Sequence, residues 1–156
     1  MLPPHALKIV LVEPAIAQKT GNIARLCAAT GTRLHLVRPL GFFLSDRHFK
    51  RAGMDYLSSV PIIVHDGLAA LFVEIGDEPI ALSSGLTGRP HWSVSLDPRT
   101  WIFLGRESAG LPAELLAAHR ARIIPLPMLA GTRGLNLSTA AGILVYEALR
   151  QIDGVH

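Results

Sequence analysis

The sequence predicts one α/β domain built on an open, mostly parallel sheet with helices on both faces. Three observations carry this. Six short apolar runs punctuate the chain, stretches with helical periodicity or helix-stop signals separate most of them, and the links between are short. At 156 residues the chain suits a single domain, 1–156, which buries roughly 68–70% of its unfolded surface on size scaling.

Taken in order, Lys8–Val12 (KIVLV) is an apolar run fit for a buried strand, ended by Glu13-Pro14. Thr20 or Asn22 can cap a helix running to about Ala29, with Gly31 just past its end as a stop signal. Arg33–Val37 (RLHLV) alternates like a strand. Pro39, Gly41 and Gly53 surround a short helix expected at 45–51. Residues 61–64 form the third strand, and Asp66 then caps a helix through Ile75 whose Leu68, Leu71, Phe72 and Ile75 fall at helical spacing. Residues 79–82 and 100–104 are the fourth and fifth strands. Pro112 is placed to open a helix ending near His119, and 122–124 is the last strand.

The final segment is the most shaped. Pro125 and Pro127 lack the ladder donor that a central strand needs, while Gly131 and Gly134 permit backbone forbidden to other residues. Asn136 then sits where its side-chain oxygen caps a long helix, with Ser138 and Thr139 in the first turn.

Composition narrows the function classes. Cys27 is the only cysteine, which excludes an intramolecular disulfide, and no Cys/His ligand spacing points to a metal. The histidines (5, 35, 48, 65, 91, 119 and 156) are scattered singly, as surface or packing residues are. No apolar run approaches the roughly 20 residues of a membrane span, and Ile9 to Val12 is too short for a secretion signal, so a soluble cytoplasmic protein is expected.

Net charge is +3 with a pI near 9.5, unevenly placed. Residues 14–54 hold Lys19, Arg25, Arg33, Arg38, Arg47, Lys50 and Arg51 against Asp46 alone. Residues 55–99 reverse the balance. Such a basic segment is the footprint of a surface that meets phosphate.

Parallel sheets bind ligands beyond the carboxyl ends of their strands. Three glycine-bearing loops leave strands there, at 83–88, 105–110 and 125–134, and together they form one expected pocket. The 105–110 loop has the gap of a P-loop, yet Leu111-Pro112 replaces the required Lys-Ser/Thr, and no G-x-G-x-x-G follows the first strand. Apolar walls from Leu82, Leu104, Leu126, Met128 and Leu135, among backbone donors, suit an adenosine-like ligand of limited negative charge.

Three motifs carry a resemblance. Thr20-Gly21-Asn22-Ile23-Ala24-Arg25, the loop Gly105-Arg106-Glu107-Ser108-Ala109-Gly110-Leu111-Pro112, and Leu135-Asn136-Leu137-Ser138 resemble, in order and spacing, those of the SPOUT class of knotted RNA methyltransferases. The likeness covers nearly the whole chain and is strongest to the TrmL subfamily, which methylates the ribose 2′-hydroxyl of the wobble nucleotide, position 34, of tRNA. It implies S-adenosyl-L-methionine bound in a C-terminal trefoil knot, contacted by Leu82, Ser83, Leu104, Gly105, Glu107, Leu126, Met128, Gly134, Leu135 and Asn136. Two positions depart from the pattern: Lys19 stands where an asparagine is usual, and Gly134 where a serine is common.

The resemblance marks Arg25 as the first-motif arginine. A guanidinium with a pKa of about 12.5–13.8 is a poor proton acceptor, so Arg25 is expected to hold an RNA phosphate and orient the ribose, with Ser138 or water assisting proton removal. Asn136 completes the expected catalytic set. Asn22, Lys19, Arg33, Arg47, Lys50, Arg51 and Arg133 are expected at the tRNA anticodon stem-loop. Two helices, at 22–29 and from 137 onward, are apolar over too wide an arc for a monomer, which with the resemblance predicts a homodimer. Methylation of ribosomal RNA, or RNA binding without catalysis, remains open at this point.

Overall fold

The computed structural model describes residues 1–85 and 87–154, without the side chain of Met54; His156 lies outside the described residues. The elements run β1 (Lys8–Val12), α1 (Ala17–Thr30), β2 (Arg33–Val37), α2 (Arg47–Gly53), a 3-10 turn (Met54–Ser58), β3 (Ile62–His65), α3 (Leu68–Ile75) and β4 (Ile80–Ser83). A second 3-10 turn (His91–Ser93), β5 (Trp101–Leu104), α4 (Ala113–Ala118), a third turn (Arg120–Arg122), β6 (Ile123–Ile124) and α5 (Leu137–Ile152) follow.

The six strands make one sheet in the order β3-β2-β1-β5-β4-β6, and every pairing is parallel. Strands buried on both faces need side chains of one character throughout, and all five residues of β1 are buried. Ile9 and Leu11, with Leu34, Leu36, Ile102 and Leu104, pack with residues of α1 (Ile23, Ala24, Cys27) and α5 (Ala141, Leu144, Ala148). Val10, Val12, Val37, Trp101 and Phe103 belong to a second core with Leu71 and Ile75 of α3 and Leu115 of α4. Helices therefore cover both faces, as the sequence predicts.

The starts of α1, α2 and α3 differ from expectation. Neither Thr20 nor Asn22 caps α1, which begins three residues before Thr20 with Ile16 at the cap and no local side-chain hydrogen bond there. Thr20 is buried and its hydroxyl donates back to Ile16 O (3.3 Å). Asp66 does not cap α3 either. Gly67 takes that position, and Asp66 instead pairs with Arg38 (2.9 Å) at the end of β2. The short basic helix starts at Arg47, where Asp46 Oδ1 accepts from His48 N at 2.7 Å. Gly31 does end α1, with φ +73° and its N–H on Cys27 O.

The strands also gather two histidines that are far apart in sequence. His35 Nδ1 and His65 Nε2 lie 2.8 Å apart as a buried hydrogen bond, and Glu74 Oε2 is 3.8 Å from His65 Nδ1. Both are buried, and they are paired where the sequence shows them singly.

Candidate active site

A parallel sheet places every strand's carboxyl end at one edge, and β4 lies between β5 and β6. Loops leaving these three strands are neighbours for that reason, and they line one cleft of about 360 Å³. Leu104, Leu111 and Leu126, with Leu135, Leu137 and Ala140 at the start of α5, supply the apolar wall. Ser83, Ser84 and Ser108 add hydroxyls, and Lys19, Arg106, Glu107 and Arg133 bring charge.

The middle loop folds back tightly. Arg106 N donates to Gly110 O (3.1 Å) and Gly110 N to Arg106 O (2.8 Å), closing a small bridge. A Cβ on Gly105 would lie 2.0 Å from the carbonyl carbon of Gly110, so only glycine allows this closure. At the tip, Glu107 accepts from Ala15 N (3.0 Å) and Ile16 N (3.1 Å). Its carboxylate thus satisfies the amides that open α1 and lies at the positive end of the helix dipole. The missing local cap of α1 is supplied from the cleft.

The C-terminal motif forms the other boundary. Asn136 caps α5: its Oδ1 accepts from Ser138 N (3.0 Å) and from the Ser138 hydroxyl (2.9 Å). Neither residue lines the cleft, although Gly134, Leu135, Leu137 and Ala140 on either side do. Ser83, Leu104, Gly105, Glu107, Leu126 and Met128 also line it. Leu82 does not. Its side chain is buried in the second core with Val10 and Phe103.

Of the expected RNA-facing residues, Lys19, in the first turn of α1, and Arg133 reach the cleft. Asn22 and Arg25 are exposed further along α1. Arg25 is six residues beyond Lys19, about 9 Å along the axis at 1.5 Å per residue. Its guanidinium lies over the Tyr56 ring, 5.8 Å from the centroid, and within one protomer it is not among the cleft residues.

Gly21 of the first motif has a packing role. A Cβ there would lie 2.6 Å from both Ala52 Cβ and Phe49 O, so glycine lets α2 dock on α1. α2 in turn exposes Arg47, Lys50 and Arg51. Arg33, the first residue of β2, sits at the amino edge of the sheet, away from the cleft of its own protomer.

Ser84, Arg106, Ser108, Leu111 and Ala140 line the cleft without having been singled out, and their one sequence signal is membership of the same glycine loops and helix start. Cys27 is no nucleophile, since burial pushes its thiol up to about 12.

Comparison with known proteins agrees with this architecture. Residues 6–146 match the SpoU rRNA Methylase family. A tRNA (cytidine(34)-2'-O)-methyltransferase from Methylovorus glucosotrophus (strain SIP3-4) is 44% identical over 150 residues, covering 93% of this chain and 95% of that protein. A solved structure described as giving structural insights into the 2-OH methylation of C/U34 on tRNA superposes with a TM-score of 0.92 at 40% identity, covering 97% of this chain and 99% of that one. The fold is also shared with the SpoU methyltransferase AviRb from Streptomyces viridochromogenes in complex with the cofactor AdoMet (TM-score 0.84, 21% identity, 97% of this chain and 59% of that one). With its family match running nearly end to end and its three loops meeting at one cleft, the chain belongs to the SpoU rRNA Methylase family.

Proposed function

We propose that the protein transfers a methyl group from S-adenosyl-L-methionine to the ribose 2′-hydroxyl of the wobble nucleotide, position 34, of tRNA, leaving S-adenosyl-L-homocysteine. The carrying observation is the convergence of the three glycine loops on one cleft bordered by Lys19 and Arg133. The likeness to a tRNA (cytidine(34)-2'-O)-methyltransferase over nearly the full length of both chains supports the choice of substrate.

The cleft residues fit the donor. Leu104, Leu126 and Leu135 offer an apolar wall for a purine, the Gly134 backbone allows close approach, and the Ser83 and Ser84 hydroxyls can meet polar edges. When bound, the donor supplies an electrophilic methyl on a sulfonium, a good leaving group. What falls to the protein is to align the acceptor oxygen, ease its deprotonation and exclude water.

Lys19 and Arg133 hold the RNA at the mouth of the cleft. The Ser138 hydroxyl donates to Asn136 Oδ1, which leaves its oxygen able to accept from and orient a water at the start of α5, and that water takes the 2′-hydroxyl proton out to solvent. Arg25 binds a phosphate and orients the ribose. Because Arg25 lies away from the cleft of its own protomer, this role calls for a homodimer in which α1 of one copy borders the cleft of the other. Half-buried Ile143 and Ile152 and exposed Tyr146 on α5 support such a contact. A trefoil knot through the C-terminal loops and a cytoplasmic location complete the proposal. Among the described residues no helix is long and apolar enough to cross a membrane.

The proposal is tested with an anticodon stem-loop carrying a single 2′-deoxy sugar at position 34. The all-ribose stem-loop should accept labelled methyl and the deoxy version should not; equal labelling of both would refute the assignment.

A further inference from the structure

Phe43 is 82% exposed, the most exposed aromatic side chain among the described residues. Single exposed apolar side chains are ordinary, so exposure alone decides nothing. The way the ring is held does. Gly41 N donates to Pro14 O (2.9 Å) and Asp46 N to Phe43 O (2.9 Å), which closes a short turn at both ends. Phe42 turns inward onto Phe49 at 5.7 Å between centroids, so its neighbour Phe43 is left facing out. Asp46 ends the turn by capping α2.

This turn is fastened to the cleft. The Pro14 carbonyl that holds Gly41 precedes the Ala15 amide that Glu107 holds, so turn, start of α1 and middle loop form one hydrogen-bonded chain. Beyond the ring, α2 exposes Arg47, His48, Lys50 and Arg51. Among the described residues, none of Arg47, Lys50 and Arg51 makes an ion pair with a carboxylate, and the Asp46 carboxylate is engaged by a backbone amide. A flat ring beside uncompensated cations, both tied to a cleft where a ribose reacts, matches what unpaired nucleic acid needs: a π-face for a base and cations for its phosphates.

We propose that Phe43 is a stacking platform for an unpaired anticodon base neighbouring the nucleotide that is methylated, with Arg47, Lys50 and Arg51 holding the phosphates of that strand. This rests on the tRNA methyltransferase reading above. The site is sequence-tolerant, because every base has a π-face, so it sets position and affinity rather than base identity.

The test uses the full chain with S-adenosylhomocysteine and an anticodon stem-loop carrying 2-aminopurine at position 35 or 33. Binding to the unsubstituted protein should quench the fluorophore at one of these positions. Phe43→Ala should abolish the quench and raise KM for the stem-loop roughly 5- to 150-fold, the span expected for losing one base–aromatic stack. Phe43→Trp should restore both, and affinity for S-adenosylhomocysteine should not change in either variant. If the unsubstituted protein methylates position 34 while Phe43→Ala keeps its quench and KM, the stacking role is overturned and the methyltransferase reading stands. If Phe43→Ala instead converts a dimer to a monomer in sedimentation with the quench intact, the ring is a subunit contact and the proposal is likewise overturned. Failure of the unsubstituted protein to methylate the stem-loop would remove the underlying reading as well.

Discussion

Glu107 accepts hydrogen bonds from the backbone amides of Ala15 at 3.0 Å and Ile16 at 3.1 Å, which fastens the middle loop of the cleft to the first turn of α1. The loop expected to hold the methyl donor and the helix expected to meet RNA are therefore one mechanical unit. Glu107→Ala leaves two amides without their acceptor, at a cost of about 1–3 kcal/mol. Chemical unfolding should show that loss, with weaker donor binding in calorimetry. Glu107→Gln keeps one acceptor oxygen and should recover part of both.

Gly21→Ala places a methyl group 2.6 Å from Ala52 Cβ and from the Phe49 carbonyl oxygen. Backbone cannot yield as a flexible side chain does, so α2 must shift off α1. The expected cost is about 1–3 kcal/mol, read as a lowered melting temperature. RNA affinity should fall further than donor affinity, because α2 carries the basic residues while the cleft loops are untouched.

A pH dependence follows from His35. Burial, with further opposition from the charges of His65, Arg33 and Lys8, pushes its imidazole from an ordinary 6.5 down to about 4. As pH falls below 6.5 the unfolded chain takes up a proton at His35 that the native protein refuses. Stability is thus complete above about pH 6.5 and is lost on the way down toward pH 4. At 1.36 kcal/mol per unit the full loss is about 3 kcal/mol. Urea midpoints between pH 7.5 and 5 should fall with acidity, and His35→Asn should flatten that slope.

Salt should report the basic surface. Replacing Arg47, Lys50 and Arg51 together with alanine should weaken stem-loop binding and reduce the slope of log affinity against log salt by about 2, at about 0.7 per phosphate on a single strand. Binding that is indifferent to salt in the unsubstituted protein would contradict this use of α2.

Arg25→Ala should lower the single-turnover rate on tRNA by about 10²- to 10⁴-fold if the guanidinium acts in the transition state. An unchanged rate would remove it from the mechanism.

Strands were legible because their signal is local. Lys8–Val12 and Arg33–Val37 stand where the apolar pattern puts them, since burial on both faces demands such runs. The start of α5, capped locally by Asn136, was legible too, but the starts of α1 and α3 were not, because their determinants are distant. The acceptor at the start of α1 comes from Glu107, 91 and 92 positions away, and Asp66 is drawn to Arg38 across 28. The same limit hid the His35–His65 pair, 30 residues apart. Glycine loops marked the cleft in advance because close approach leaves a compositional trace, as at Gly105. Which edge of the sheet a charge occupies leaves none, as Arg33 at the amino edge shows.

The most direct measurement is mass spectrometry of the nucleosides of tRNA incubated with the purified protein and isotopically labelled S-adenosylmethionine. The label is predicted on the ribose 2′-oxygen of nucleotide 34 and nowhere else. Label on a base or at another position, or none at all, would contradict the account.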